Sequence, residues 1–110
     1  MARGRPRLRL EPRSDGTARR GRRQRHDARR GPVLVRRHRD HPFFLHLAYN
    51  APHYPFEAPD ADVQPFADTG AFTNAVSSLY GMLQVMDRGV GAVLDELDAL
   101  GLADDTLVMF

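Results

Sequence analysis

The apolar patterning of this chain predicts an α/β fold class, in the form of one strand–helix–strand (βαβ) unit. Three observations carry that expectation. Phe43, Phe44, Leu45, Leu47 and Ala48 form a short apolar run broken only by His46. Val76, Leu79, Leu83, Met86, Val90, Val93, Leu97 and Leu100 recur at steps of three and four, the period of an amphipathic helix. Thr106, Leu107, Val108, Met109 and Phe110 make a second apolar run. A strand, a long connection containing a helix, and a second strand compose one right-handed crossover of a parallel sheet.

The chain has 110 residues, enough for one small domain. Its formal net charge of +2 conceals a division. Up to Arg39 there are 15 arginines against Glu11, Asp15 and Asp27, a net of +12. From Asp40 onward 11 acidic residues face Arg88 alone, a net of −10. Two segments this different do not share one evenly mixed surface, so the chain divides into an arginine-rich segment, 1–35, and a domain, 36–110. There is no cysteine, which excludes a disulfide framework, a thiolate metal site and a cysteine nucleophile in this chain. No apolar run approaches a membrane span. The arginines near the start have no apolar core behind them, so they do not read as a secretory signal.

Residues 1–35 carry almost no apolar periodicity and cannot bury enough surface to offset their ordering entropy, so low order is expected. A basic arm of this kind binds nucleic acid through phosphate contacts. It holds no aromatic residue for base stacking, and basic runs are more often solvated tails, so a nucleic-acid partner is disfavoured. A third reading, which the sequence favours, is an out-of-frame translation joined to a true domain. Val33–Asp40 reads as the last turn of a helix leading into the first strand. His38 and His41 flank that turn and read as surface histidines, because no third metal ligand stands at a suitable spacing.

Pro42 opens the first strand, where a missing N–H costs little. A run without polar alternation is expected to be buried on both faces. His46 shares a face with Phe44 and Ala48 and is expected to be a satisfied core or rim histidine. Beyond Tyr49 come Pro52, Pro55, Pro59 and Pro65, with no sustained period apart from a short turn near Asp60–Phe66. A connection of this length in a compact domain is usually functional or disordered. Pro52 biases Ala51, and Pro55 biases Tyr54, towards extended conformations. His53 is thereby presented on a stiff turn just past a strand's carboxyl end, the edge at which open α/β sheets bind ligands. It is the residue singled out for chemistry.

The long helix begins around Thr69–Thr73, with Asp68, Thr69 and Thr73 as candidate caps, and stops at Gly101 in a left-handed cap. Gly81, Gly89 and Gly91 inside it point to close packing or a bend. Asp87, beside Arg88, reads as a structural ion pair or backbone contact, since no second acid stands next to it.

Residues 36–110 resemble an internal piece of a sulfatase of the arylsulfatase type, within the alkaline-phosphatase-like superfamily. The resemblance rests on P-F-F-L-H-L-A-Y-N-A-P-H-Y-P at 42–55, M-D-R-G-V-G at 86–91 and L-D-A-L-G-L-A-D-D-T-L-V-M-F at 97–110. It implies a parallel or mixed sheet of which this chain supplies one βαβ unit. It also implies hydrolysis of sulfuric esters by a formylglycine nucleophile with calcium in the complete enzyme, acting on a sulfated small molecule or glycan. Residue by residue, only His53 carries over: it matches the histidine of the A-P-H-x-P motif that lies at the sulfate. A histidine suits that place because it is charged or neutral near physiological pH.

No other site residue of the family matches. Ser14, Ser77 and Ser78 are not followed by x-P-x-R, so the chain lacks the precursor of formylglycine, and it has no lysine for the family's catalytic lysine. Asp104–Asp105 resembles the family's paired calcium aspartates in letters only, because it precedes a strand where theirs follows one. No residue is therefore assigned to metal. The expectation is a fragment of a sulfatase catalytic domain that is inactive alone and marginally folded. A phosphoesterase or phosphonate hydrolase of the same superfamily, and a non-enzymatic basic-arm nucleic-acid-binding protein, are the alternatives.

Overall fold

The computed structural model describes residues 28–110. The readings made for residues 1–27, the greater part of the arginine-rich segment, lie outside the described residues. Helix α1 spans 28–38, α2 spans Asp60–Ala67 and α3 spans Asn74–Ala99, followed by a short 3-10 turn at Ala103–Asp105. Residues 42–50 and 106–110 run without helix or strand.

The long helix α3 starts and stops where its sequence says it should. The Thr73 hydroxyl accepts a hydrogen bond from the Val76 N–H at 3.3 Å, satisfying one orphan donor of the first turn. At the other end Gly101, with φ +68°, lets the chain reverse. The Leu102 N–H then reaches the Leu97 carbonyl at 2.9 Å and the Gly101 N–H reaches the Asp98 carbonyl at 3.0 Å. That pair of bonds is the Schellman ending, and it needs a residue that tolerates the left-handed region. Helix α2 has no side-chain cap, but Asp60 and Asp62 in its first turn favour the positive end of the helix dipole.

Helix α2 packs against the first half of α3. Ala58, Val63 and Met82 form the core there, with Ala51 and Phe56 laid against it. Gly81 makes the close approach possible: a Cβ on it would stand 3.1 Å from the Ala58 Cβ, the Asp62 carbonyl oxygen and Val63 Cγ2. Gly89 does the same for α1 and the extended segment, its missing Cβ lying 2.9 Å from both Ala28 Cβ and Tyr49 Oη. Gly91 has open space around it. Two ion pairs tie these contacts down. Arg88 of α3 reaches Asp62 of α2 at 2.6 Å, and Arg36 of α1 grips both carboxylate oxygens of Glu96 of α3 at 2.7 Å.

The expected βαβ unit is absent: the described residues contain three helices and no strand. Both apolar runs are extended, but a strand exists only when its N–H and C=O groups pair with a neighbour, and among the described residues no neighbouring strand lies beside either run. The first run is therefore not buried on both faces. Phe43, Leu45, Leu47 and Tyr49 are half-buried against the helices, while Phe44, His46, Ala48 and Asn50 face outwards. That alternation is the period of an extended backbone with one covered side. Phe44 is 90% exposed and Phe110 fully so. His46, expected at the core or its rim, is on the open face.

Residues 28–35, grouped by sequence with the arginine-rich segment, belong to α1. The reason is tertiary: Val35 is buried, Gly31 lies against Val93 and Leu47, and Arg36 is held by Glu96. The short turn anticipated near Asp60–Phe66 is the full helix α2.

Candidate functional site

The A-P-H-Y-P stretch sits between two anchored flanks. On its N-terminal side Tyr49 lies where Gly89 leaves room, and Ala51 packs on the core. On its C-terminal side Phe56 and Ala58 enter the same core, and the Glu57 N–H points at Met82 Sδ at 3.3 Å. Residues 52–55 span the gap and are exposed. Flanks held by packing and a middle rich in proline make a projecting loop of few accessible shapes.

Within it, Asn50–His53 forms a tight turn closed by the His53 N–H on the Asn50 carbonyl at 2.9 Å. The Ala51–Pro52 and Tyr54–Pro55 peptide bonds are both cis. The Tyr54 ring meets Phe56 edge-on, with centroids 5.7 Å apart, the arrangement in which a ring edge meets a π face. His53 Nδ1 lies 2.5 Å from the Tyr54 carbonyl oxygen. Among the described residues the other ring nitrogen, Nε2, makes no hydrogen bond.

The remaining candidates do not gather around His53. His38, His41 and His46 are exposed, and no group of three or more His, Asp or Glu side chains able to hold a metal occurs among the described residues. Asp104 and Asp105 are exposed on the 3-10 turn. Asp87 is exposed on α3, and the ion pair forms one residue later, between Arg88 and Asp62. Sequence reasoning missed both long-range partners. Asp62 and Glu96 are buried carboxylates, and nothing in their local spacing announces arginines 26 and 60 residues away. The double hydrogen bond from Arg36 holds the Glu96 carboxyl below its ordinary range, against an opposing desolvation.

Comparison with known proteins decides what this loop belongs to. The family model described as sulfatase matches residues 31–110, which include the His53 loop and all three motifs. The chain belongs to the sulfatase family. It is similar to an uncharacterised sulfatase, YdeN, of Escherichia coli (strain K12), at 39% identity over 72 residues, which are 64% of this chain and 12% of that protein. It is similar also to steryl-sulfatase of Mus musculus, at 39% identity over 79 residues, 71% of this chain and 11% of that one. The sulfatase match thus begins within α1, five residues before Arg36, and the chain spans roughly a ninth of the relatives' length. No helix among this sulfatase sequence's described residues is long and apolar enough to cross a membrane.

Proposed function

We propose that residues 36–110 supply the sulfate-contacting histidine loop of a sulfuric ester hydrolase, with His53 as the residue that meets a sulfate or ester oxygen. The observation that supports this is the coincidence of two facts. The sulfatase match runs through A-P-H-Y-P, and the loop exposes that histidine between two packed flanks, with one ring nitrogen unbonded among the described residues. A spread negative charge on a sulfate ester is met by fixed donors that do not reorganise during the reaction, and a histidine on a stiff loop is such a donor.

Formylglycine and calcium, which the resemblance implies for the complete enzyme, would supply the nucleophile and charge neutralisation. The described residues do not assemble a calcium site, so what this chain contributes is position and a hydrogen-bond donor. The substrate class is a sulfated small molecule or glycan.

The test is a chimera in which this chain's matched stretch replaces the corresponding one in mouse steryl-sulfatase. Steryl sulfate turnover that falls about 100-fold or more on His53→Ala, with the thermal unfolding of the two chimeras unchanged, supports the reading. A folded chimera whose turnover ignores His53→Ala refutes it.

A further inference from the structure

The loop does more than carry His53 outwards; it also selects which of the two ring nitrogens faces a ligand. A carbonyl oxygen only accepts hydrogen bonds, so the Tyr54 carbonyl, 2.5 Å from His53 Nδ1, requires the proton to be on Nδ1. We infer that the Tyr54 main-chain carbonyl, its direction restricted by Pro55, is a positioning group that holds His53 in the Nδ1–H tautomer and dedicates Nε2 to the ligand. This inference deepens the sulfate-contacting role proposed above and rests on it only for the identity of the ligand.

Three features support the lock. The residue before a proline is confined to extended conformations, so the Tyr54 carbonyl has few directions to choose from. The His53 N–H is already committed to Asn50, which fixes the backbone on the other side of the ring. The Tyr54 ring, edge-on to Phe56, ties the same residue to the α2–α3 core. A ring nitrogen's role is set by the hydrogen bond its partner nitrogen makes, and here that partner is a backbone atom that no side-chain substitution removes.

The chemical consequence is a sharp division between the two charge states. In the neutral Nδ1–H ring, Nε2 carries a lone pair and repels a sulfate oxygen. In the imidazolium, Nε2–H is a charged donor on an exposed side chain. An anionic oxygen at Nε2 therefore meets His53 only as the cation, with Nδ1 still bonded to Tyr54.

Nitrogen-15 NMR of histidine-labelled full chain tests this directly. His38, His41 and His46 are exposed with no hydrogen bond to their rings among the described residues, and serve as internal references. A His53→Gln variant identifies the His53 signals. In the neutral state His53 should show a protonated Nδ1 and an unprotonated Nε2, the reverse of the references, and Pro55→Gly should return it to their pattern. Tyr54→Ala, which keeps the carbonyl, should retain the Nδ1–H form. A wild-type His53 that matches the references overturns the inference, as does a Pro55→Gly ring that keeps its Nδ1 proton. Neither result touches the chimera experiment: a locked tautomer with His53-independent turnover would refute the sulfate-contacting role alone, and the converse would refute the lock alone.

Discussion

Arg36 and Glu96, 60 residues apart, close a two-pronged ion pair with both nitrogen–oxygen distances at 2.7 Å. The carboxylate is buried in the face of α3 that α1 covers, while the guanidinium remains largely in solvent. Parallel charge-assisted bonds of this kind fix orientation as well as proximity. The pair therefore sets how α1 lies across α3, and with it the covered side of residues 43–49.

Acid should release α1. Glu96 titrates below its ordinary value near 4.5 because the Arg36 hydrogen bonds favour the carboxylate. A depressed carboxyl contributes stability above its unfolded value and loses it as pH falls through the folded one. Amide exchange in 28–38 is expected to accelerate as pH drops below about 4.5, beyond the change in intrinsic exchange, while α2 and the first half of α3 respond less. In Glu96→Gln the same amides should be weakly protected already at neutral pH and show little further acid dependence. Protection in 28–38 that is insensitive to both changes would show that apolar contacts alone hold α1.

Met82 is the largest fully buried side chain among the described residues and a member of the α2–α3 core. Met82→Ala should cost about 2–5 kcal/mol, comparable to the whole stability of so small a core. Urea unfolding followed by far-ultraviolet circular dichroism is expected to show loss of the transition. The His53 loop should lose its fixed shape in parallel, because Phe56 and the Glu57 N–H rest on Met82.

The three helix glycines should separate by environment. Gly91→Ala, with nothing within 4 Å of the new carbon, should stabilise by about 1 kcal/mol through helix propensity. Gly81→Val forces a branched side chain against the Asp62 carbonyl and should destabilise by about 1–3 kcal/mol. Shifts of the urea midpoint in opposite directions check both.

The purified chain should not hydrolyse a chromogenic aryl sulfate above the buffer rate, with or without added calcium. It lacks a serine in an S-x-P-x-R context and any cysteine, and the described residues assemble no metal group. A His53-dependent rate would contradict that expectation.

Much of the helical half of the structure was legible in the linear pattern. The Thr73 cap, the α3 period and the Gly101 ending depend on contacts within four or five residues, which local sequence encodes directly. The face of α3 that is most buried was not. The apolar stripe through Leu79, Leu83, Met86 and Val90 is only half covered, whereas the tightest contacts run through Ser77, Ser78, Gly81, Met82, Val85 and Gly89. A count of apolar residues overlooks small ones, yet it is the small ones that let two helix backbones approach.

By itself the sequence determined the sulfatase motifs, the long helix with its two ends and the setting of His53 between prolines. Each is a property of adjacent residues. The tertiary structure alone decided whether the two apolar runs would be strands, and decided against it. Strand formation depends on hydrogen-bond partners elsewhere in space, and a run of apolar side chains does not report whether those partners are present. Only the tertiary structure, likewise, joined Arg36 to Glu96 and Arg88 to Asp62, and set the ring of His53 against the Tyr54 carbonyl.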